Sequence, residues 1–335
     1  MSSPRTFLLE WADQARIPRR SLKEAFAKAH LLPKGAEWSA FLDRLLLWLG
    51  ALAVSVGVIL FFAYNWDGMH RFAKLGLAGG LLAVCLVAVR IRGLGRLSGQ
   101  AGLVAAALLT GGLLALIGQI YQTGAEAYAL FTLWAGLTLP WALVGRLPAL
   151  WALWLVVANL ALSFYAPHMP LLGGLVRGDQ WLIGHVLFNG GALALWELGA
   201  RGGAAWMAER WPARWVAFLL GAPLTGFLVF GIFANHDAGV AGLLWLAWAG
   251  GMAAAYLPAG GRDLFMIAGL LLAGIGVVAA LLAEALLTAA TGPAEVIPTS
   301  LLIGVVVILL STAAGKWLRH LDGQDTGVAK EASHG

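Results

Sequence analysis

The chain has a single cysteine, Cys85, among 335 residues. No internal disulfide can form, and a metal site built on paired cysteines is excluded. Charge is scarce as well: Asp, Glu, Lys and Arg supply 12% of the residues, against about a quarter in soluble domains. So few charges cannot clothe a water-facing surface when 60% of the residues are apolar. Glycine loops ending in Lys-Ser or Lys-Thr, which cradle phosphate, are missing, and so is the His-Glu-x-x-His pair of zinc enzymes. Ser98 stands in a basic stretch, Arg96-Leu97-Ser98-Gly99, without a histidine partner, so serine hydrolysis has no support. His236-Asp237 is too short a cluster to define a metal site. No catalytic residue, metal or cofactor is expected, and nothing points specifically to an enzyme.

What the chain has in quantity is long apolar runs. A helix crosses the hydrocarbon core with about 20 mainly apolar residues. Such runs occur at 45–64, 72–89, 99–121, 128–145, 148–165, 181–200, 213–234, 239–257, 263–290 and 297–318. The fourth and fifth are the weakest and fit one tight hairpin around Arg146 and Pro148. The expected fold is all-α: a polytopic integral membrane helical bundle of about ten transmembrane helices. Its parts are a cytoplasmic amphipathic segment (1–44), a first membrane half (45–165), an external connection (166–180), a second half (181–318) and a cytoplasmic tail (319–335). Five spans per half would give inverted topology, a plan shared by many transporters. The hydrophilic start has no short apolar stretch leading to a small-residue cleavage site, so a cleaved signal peptide is not expected.

Positive charge is sorted by side. One set of span ends holds Arg5, Arg16, Arg19, Arg20, Lys23, Lys28, Lys34, Arg44, Arg90, Arg92, Arg96, Arg146, Arg201, Arg210, Arg214, Arg262, Lys316, Arg319 and Lys330; the other holds Arg71, Lys74 and Arg177. Cytoplasmic loops carry the excess, so both termini are expected in the cytoplasm. The basic balance follows from this sorting. No concentrated basic patch on a water-facing surface suggests nucleic acid as a partner.

Before the first span, Leu8, Leu9, Trp11, Ala12 and Ala15 form a short amphipathic set ending near Ile17-Pro18. Ser21-Leu22-Lys23-Glu24 reads as a capping box, followed by Leu22, Ala25, Phe26 and Ala29 at helical spacing and a stop at Leu32-Pro33. A further helix begins near Glu37 and runs into the first span. The segment suits a helical cap on the membrane surface. Trp66, Trp151, Trp181, Trp211, Trp215 and Trp317 near span ends suit the interfacial belt. Small residues four apart, Gly76 and Gly80, Gly111 and Ala115, Gly250 and Ala254, suit close helix approach.

Phe61-Phe62-Ala63-Tyr64-Asn65-Trp66-Asp67 closes the first span and leads to Arg71-Phe72-Ala73-Lys74-Leu75. Gly118-Gln119-Ile120-Tyr121-Gln122-Thr123-Gly124 closes the third, followed by Ala127-Tyr128-Ala129-Leu130-Phe131 and Trp134. With the amphipathic segment, these stretches resemble the bacterial predicted membrane proteins named domain of unknown function 2157, over roughly the first 150 residues. The resemblance implies a bacterial inner-membrane protein. Members tend to occur beside other uncharacterised membrane proteins, which implies a multi-protein assembly. No catalytic or ligand residue carries over.

Polar groups at membrane depth are costly and point to function. On the expected topology they gather toward the outer leaflet: Asn65, Asp67 and His70 after the first span, Gln119, Gln122 and Glu126 after the third, and Asn235, His236 and Asp237 after the seventh. His185 and Asn189 share a face of the sixth span, and Glu284 lies about 9 Å below the end of the ninth. His185 and Glu284, two groups able to exchange a proton, form the centre of a candidate outward-facing cavity. Asn189-Gly190-Gly191 and Gly274-Ile275-Gly276 are places where a span could break. Glu197 is expected to be solvated or paired with Arg201. The expected function is transport or binding of a small solute or ion through this cavity; the alternative is a non-catalytic accessory role among other membrane proteins. Besides the lipid bilayer, the partner is thus a small solute or ion in the first case and a membrane protein in the second.

Overall fold

The computed structural model describes residues 8, 11–12, 14, 16–29, 35–64, 68–121, 126–165, 180–234, 239–258, 262–289 and 292–331. Among them the chain forms eleven α-helices and no strand: α1 (Leu22–Lys28), α2 (Gly35–Tyr64), α3 (Arg71–Arg92), α4 (Leu97–Tyr121), α5 (Ala127–Gly145), α6 (Pro148–Tyr165), α7 (Gln180–Arg201), α8 (Arg210–Phe233), α9 (Gly239–Tyr256), α10 (Leu264–Ala289) and α11 (Pro293–Glu331). Helices dominate because a chain in lipid must satisfy its backbone polar groups within each segment. Nine of the described helices, α2 to α6 and α8 to α11, are long and apolar enough to cross a membrane. The remaining expected span, the sixth, is α7, a 22-residue helix. His185, Asn189 and Glu197 dilute its apolar character, but its length of about 33 Å still matches the hydrocarbon core.

The chain divides into two compact units, one of residues 43–227 and 237–245, the other of 1–42, 228–236 and 246–335. In the first, α3 packs on α4, α4 on α5, α5 on α6, and α6 on α7. Alanine and glycine on α4 let its neighbours come close: Ala101, Ala105, Ala106, Ala107 and Gly111 are all buried. Leu103 and Ala107 of α4 meet Ala142 of α5 and Leu147 and Leu150 around the start of α6 in one apolar cluster. In the second unit, α10 packs on α11.

The helix ends are local chemistry. At the start of α3, the His70 imidazole accepts the Phe72 N–H at 3.4 Å, which makes His70 a cap. At its end, Gly93 donates its N–H to the Val89 carbonyl and turns the chain out of the helix at φ 72° and ψ 155°, a backbone conformation open to glycine because it has no Cβ. The turn that follows folds so tightly that a Cβ on Gly99 would strike the Gly93 carbonyl. The expected α5–α6 hairpin is present: Arg146 takes a left-handed conformation at φ 48°, its N–H reaches Ala142, and Pro148 opens α6.

Three expectations are corrected. α1 begins after a 3₁₀ turn, and the Ser21 N–H donates to the Pro18 carbonyl at 2.8 Å. Glu24 therefore does not serve a capping box; it meets Lys28 at 3.2 Å. The glycines at 190–191 and 274–276 lie within unbroken helices, α7 and α10. Of the small-residue pairs, Gly111 makes a close approach, but a Cβ on Gly76, Gly80 or Gly250 would meet nothing within 4 Å. Of the first amphipathic set, Leu8, Trp11 and Ala12 are helical, while Leu9 and Ala15 lie outside the described residues, as do Leu32 and Pro33.

Candidate functional site

Within the 43–227 unit, polar side chains join one helix to the next at successive points along the chain. Trp134 of α5 lays its indole on Gly111 of α4, where a Cβ would strike the ring. Its Nε1–H donates to the Ala107 carbonyl at 2.8 Å, one turn back on α4. Trp154 of α6 does the same to α5, donating to the Ala135 carbonyl at 2.9 Å. Pro140, inside α5, has no N–H to offer and so leaves the Gly136 carbonyl without its helical donor. Thr138 adds a bond from its hydroxyl to the Trp134 carbonyl at 2.8 Å.

Between α6 and α7 the joint is a closed network of four side chains. Asn159 and Asn189 exchange two amide bonds: Asn159 Nδ2–H to Asn189 Oδ1 at 3.0 Å, and Asn189 Nδ2–H to Asn159 Oδ1 at 2.7 Å. The second hydrogen of each amide goes to its own helix, to the Leu155 carbonyl at 2.8 Å and the His185 carbonyl at 3.0 Å. One turn toward the connection, the Ser163 hydroxyl lies 3.0 Å from His185 Nε2 and 2.8 Å from the Asn159 carbonyl. His185 Nδ1 lies 2.7 Å from the Trp181 carbonyl. The Trp181 ring packs over the imidazole and against Phe227 of α8. Asn189 is 0% exposed and His185 6%. Every amide hydrogen in this buried set has an acceptor, as burial in an apolar medium requires.

The joints continue along the chain. Trp196 of α7 donates to the Met207 carbonyl at 3.1 Å. Glu197 pairs with Arg210 of α8, one Nη1 spanning both carboxylate oxygens at 2.9 and 3.1 Å, and not with Arg201 as expected. Trp245 of α9 donates to Thr225 Oγ1 of α8 at 3.0 Å.

The other expected site residues are distributed differently. Gln119 is exposed near the end of α4, and Glu126, also exposed, is the N-cap of α5. Asn65, Asp67, Gln122, Asn235, His236 and Asp237 lie outside the described residues. Glu284 sits half-buried on α10, in the second unit. Its carbonyl accepts the Thr288 hydroxyl, and among the described residues no side-chain partner meets its carboxylate. His, Cys, Asp and Glu form no group of three able to hold a metal among the described residues. Sequence reasoning brought His185 and Asn189 together but missed Asn159 and Ser163, which complete their bonding.

Residues 9–151 match the model of a family described as predicted membrane protein (DUF2157). The matched region runs from the N-terminal segment to the first turn of α6, so it contains the Trp134–Gly111 joint and ends before the Asn159–Asn189 pair. No curated protein matches the chain, and no solved structure does. The DUF2157 match and the run of apolar helices identify a multi-pass membrane protein.

Proposed function

We propose that this protein is a non-catalytic accessory component of a membrane assembly. The observation that carries the reading is the closure of the α6–α7 network. A solute path needs polar groups left open to solute, whereas His185 and Asn189 are buried and bonded to Ser163, Asn159 and their own backbone. The resemblance to DUF2157 adds support, since members tend to occur beside other membrane proteins. On this reading the protein resides in a bacterial inner membrane with both termini in the cytoplasm, and its partners are other integral membrane proteins. Charge sorting supports the orientation, and it works only if α7 counts as a span. Without α7, Arg201, Arg210 and Arg214 fall on the same side as Arg71.

A second reading, transport or binding of a small solute or ion, rests on Glu284, a carboxylate at membrane depth whose side chain has no partner among the described residues. One experiment separates the two. In a Cys85→Ala background, single cysteines replace His185, Asn189 and Glu284, and intact cells are treated with a membrane-impermeant thiol reagent. The accessory reading predicts no labelling at the three positions while a control cysteine at His236 reacts. Labelling at all three overturns it, and labelling at position 284 alone favours the second reading. Native gels of gently solubilised membranes supply the positive test. The accessory reading predicts that the protein migrates above the mass of its purified form, and equal migration contradicts it.

A further inference from the structure

We propose that Ser163 and His185 form a proton-responsive contact between α6 and α7, with two hydrogen-bond states that differ by one proton and leave the packing unchanged. The inference is independent of the accessory reading. His185 Nδ1 faces the Trp181 carbonyl at 2.7 Å. A carbonyl can only accept, so Nδ1 carries a hydrogen in either state. The proton state is therefore decided at Nε2, which faces Ser163 Oγ at 3.0 Å.

The serine has one hydrogen and two acceptors within reach, Nε2 and the Asn159 carbonyl at 2.8 Å. With neutral histidine, the Ser163 O–H donates to Nε2. When a proton from water binds Nε2, the new N–H donates to Oγ, and the serine hydrogen swings to the Asn159 carbonyl. No covalent bond breaks other than that of the incoming proton, and every donor has an acceptor before and after. A buried histidine flanked only by donors or only by acceptors could not do this without an orphaned group.

Among the described residues, α4, α5 and α6 carry no Asp, Glu, Lys or Arg; Glu126 stands at the N-cap of α5, and Tyr128 there meets Tyr165 of α6 ring to ring. On α7, Glu197 and Arg201 lie about 18 Å or more along the axis from His185. Arg210 and Arg214 occupy the first turns of α8, at the end joined to the C-terminus of α7. Access is short: His185 is the sixth residue of α7, about 8 Å from its first.

The test uses the full chain in lipid nanodiscs with ¹⁵N-ring-labelled histidine and ¹³C-carbonyl asparagine, the His185 and Asn159 signals being identified with His185→Gln and Asn159→Gln. The expected result at high pH is a hydrogen on Nδ1 and a bare Nε2. On acidification Nε2 gains a hydrogen, Nδ1 keeps its own, and the Asn159 carbonyl signal shifts along the same curve. Ser163→Ala should uncouple the Asn159 carbonyl from the histidine, and Ser163→Thr, which keeps the hydroxyl, should retain the coupling. A hydrogen on Nε2 at high pH, no titration of His185 between pH 5 and 8, or an Asn159 carbonyl that stays still while His185 titrates would each overturn the proposal.

Discussion

Between α4 and α8 each helix is tied to the next by a polar side chain: Trp134, Trp154, the Asn159–Asn189 pair and Glu197–Arg210. In α10 and α11, by contrast, the hydroxyls of Thr288, Ser300 and Thr312 bond back to carbonyls four residues earlier in their own helices. A tie to α11 comes from the residues before α10, where Arg262 reaches the Leu321 carbonyl at 3.2 Å. Both arrangements satisfy polar groups in lipid, but only the first specifies a neighbour. Apolar burial does not drive helices together in a bilayer, because lipid tails are as apolar as leucine. Close packing on small residues and directed bonds must supply the specificity, and the 43–227 unit contains both.

The comparison is broken most severely at Gly111. Replacing it with valine drives a side chain into the Trp134 ring and opens the bond to Ala107. A loss of about 3 kcal/mol is expected, read as a fall in the unfolding temperature of purified protein in detergent. Asn189→Leu comes next. It strips the Asn159 amide of both its bonds to α7, one given and one accepted, at a cost of about 1–3 kcal/mol, measurable by the same unfolding. Trp154→Phe keeps an aromatic ring but removes the N–H to Ala135 together with part of the indole, so a loss of about 1–2 kcal/mol is expected. Thr312→Val is the control in α11. Among the described residues its hydroxyl bonds only its own helix, and a change within about 0.5 kcal/mol is expected. If the α11 substitution cost as much as Asn189→Leu, the contrast between the regions would disappear.

The helices were legible because each span needs a fixed length of apolar sequence, and Arg146-Leu147-Pro148 marked the α5–α6 hairpin in advance. The partners were harder to see. Asn159 and Ser163 each look like a lone polar residue in an apolar run, and neither declares which helix it faces. A usable signal was nevertheless present. Two antiparallel neighbours keep a constant register, and the pairs 159 with 189 and 163 with 185 are both centred on position 174. Polar residues spaced by four on consecutive spans and mirrored about their connection predict this contact. The tryptophans fall into two groups. Those placed at span ends suggested an interfacial belt, while the ones that join helices, Trp134, Trp154 and Trp245, lie inside spans. Gly190 and Gly191 suggested a break, yet a glycine lowers helix propensity by only about 1 kcal/mol, less than an unsatisfied turn of backbone would cost in lipid.

The account stands on the claim that membrane-depth polar groups in the 43–227 unit serve one another. A double-mutant cycle on Asn159→Leu and Asn189→Leu, read by unfolding in detergent, tests it most directly. The account predicts that the double variant is less destabilised than the two single losses together, with a coupling of about 1 kcal/mol or more, because the remaining amide no longer lacks a partner. Additive losses, with no coupling between the two positions, would contradict it.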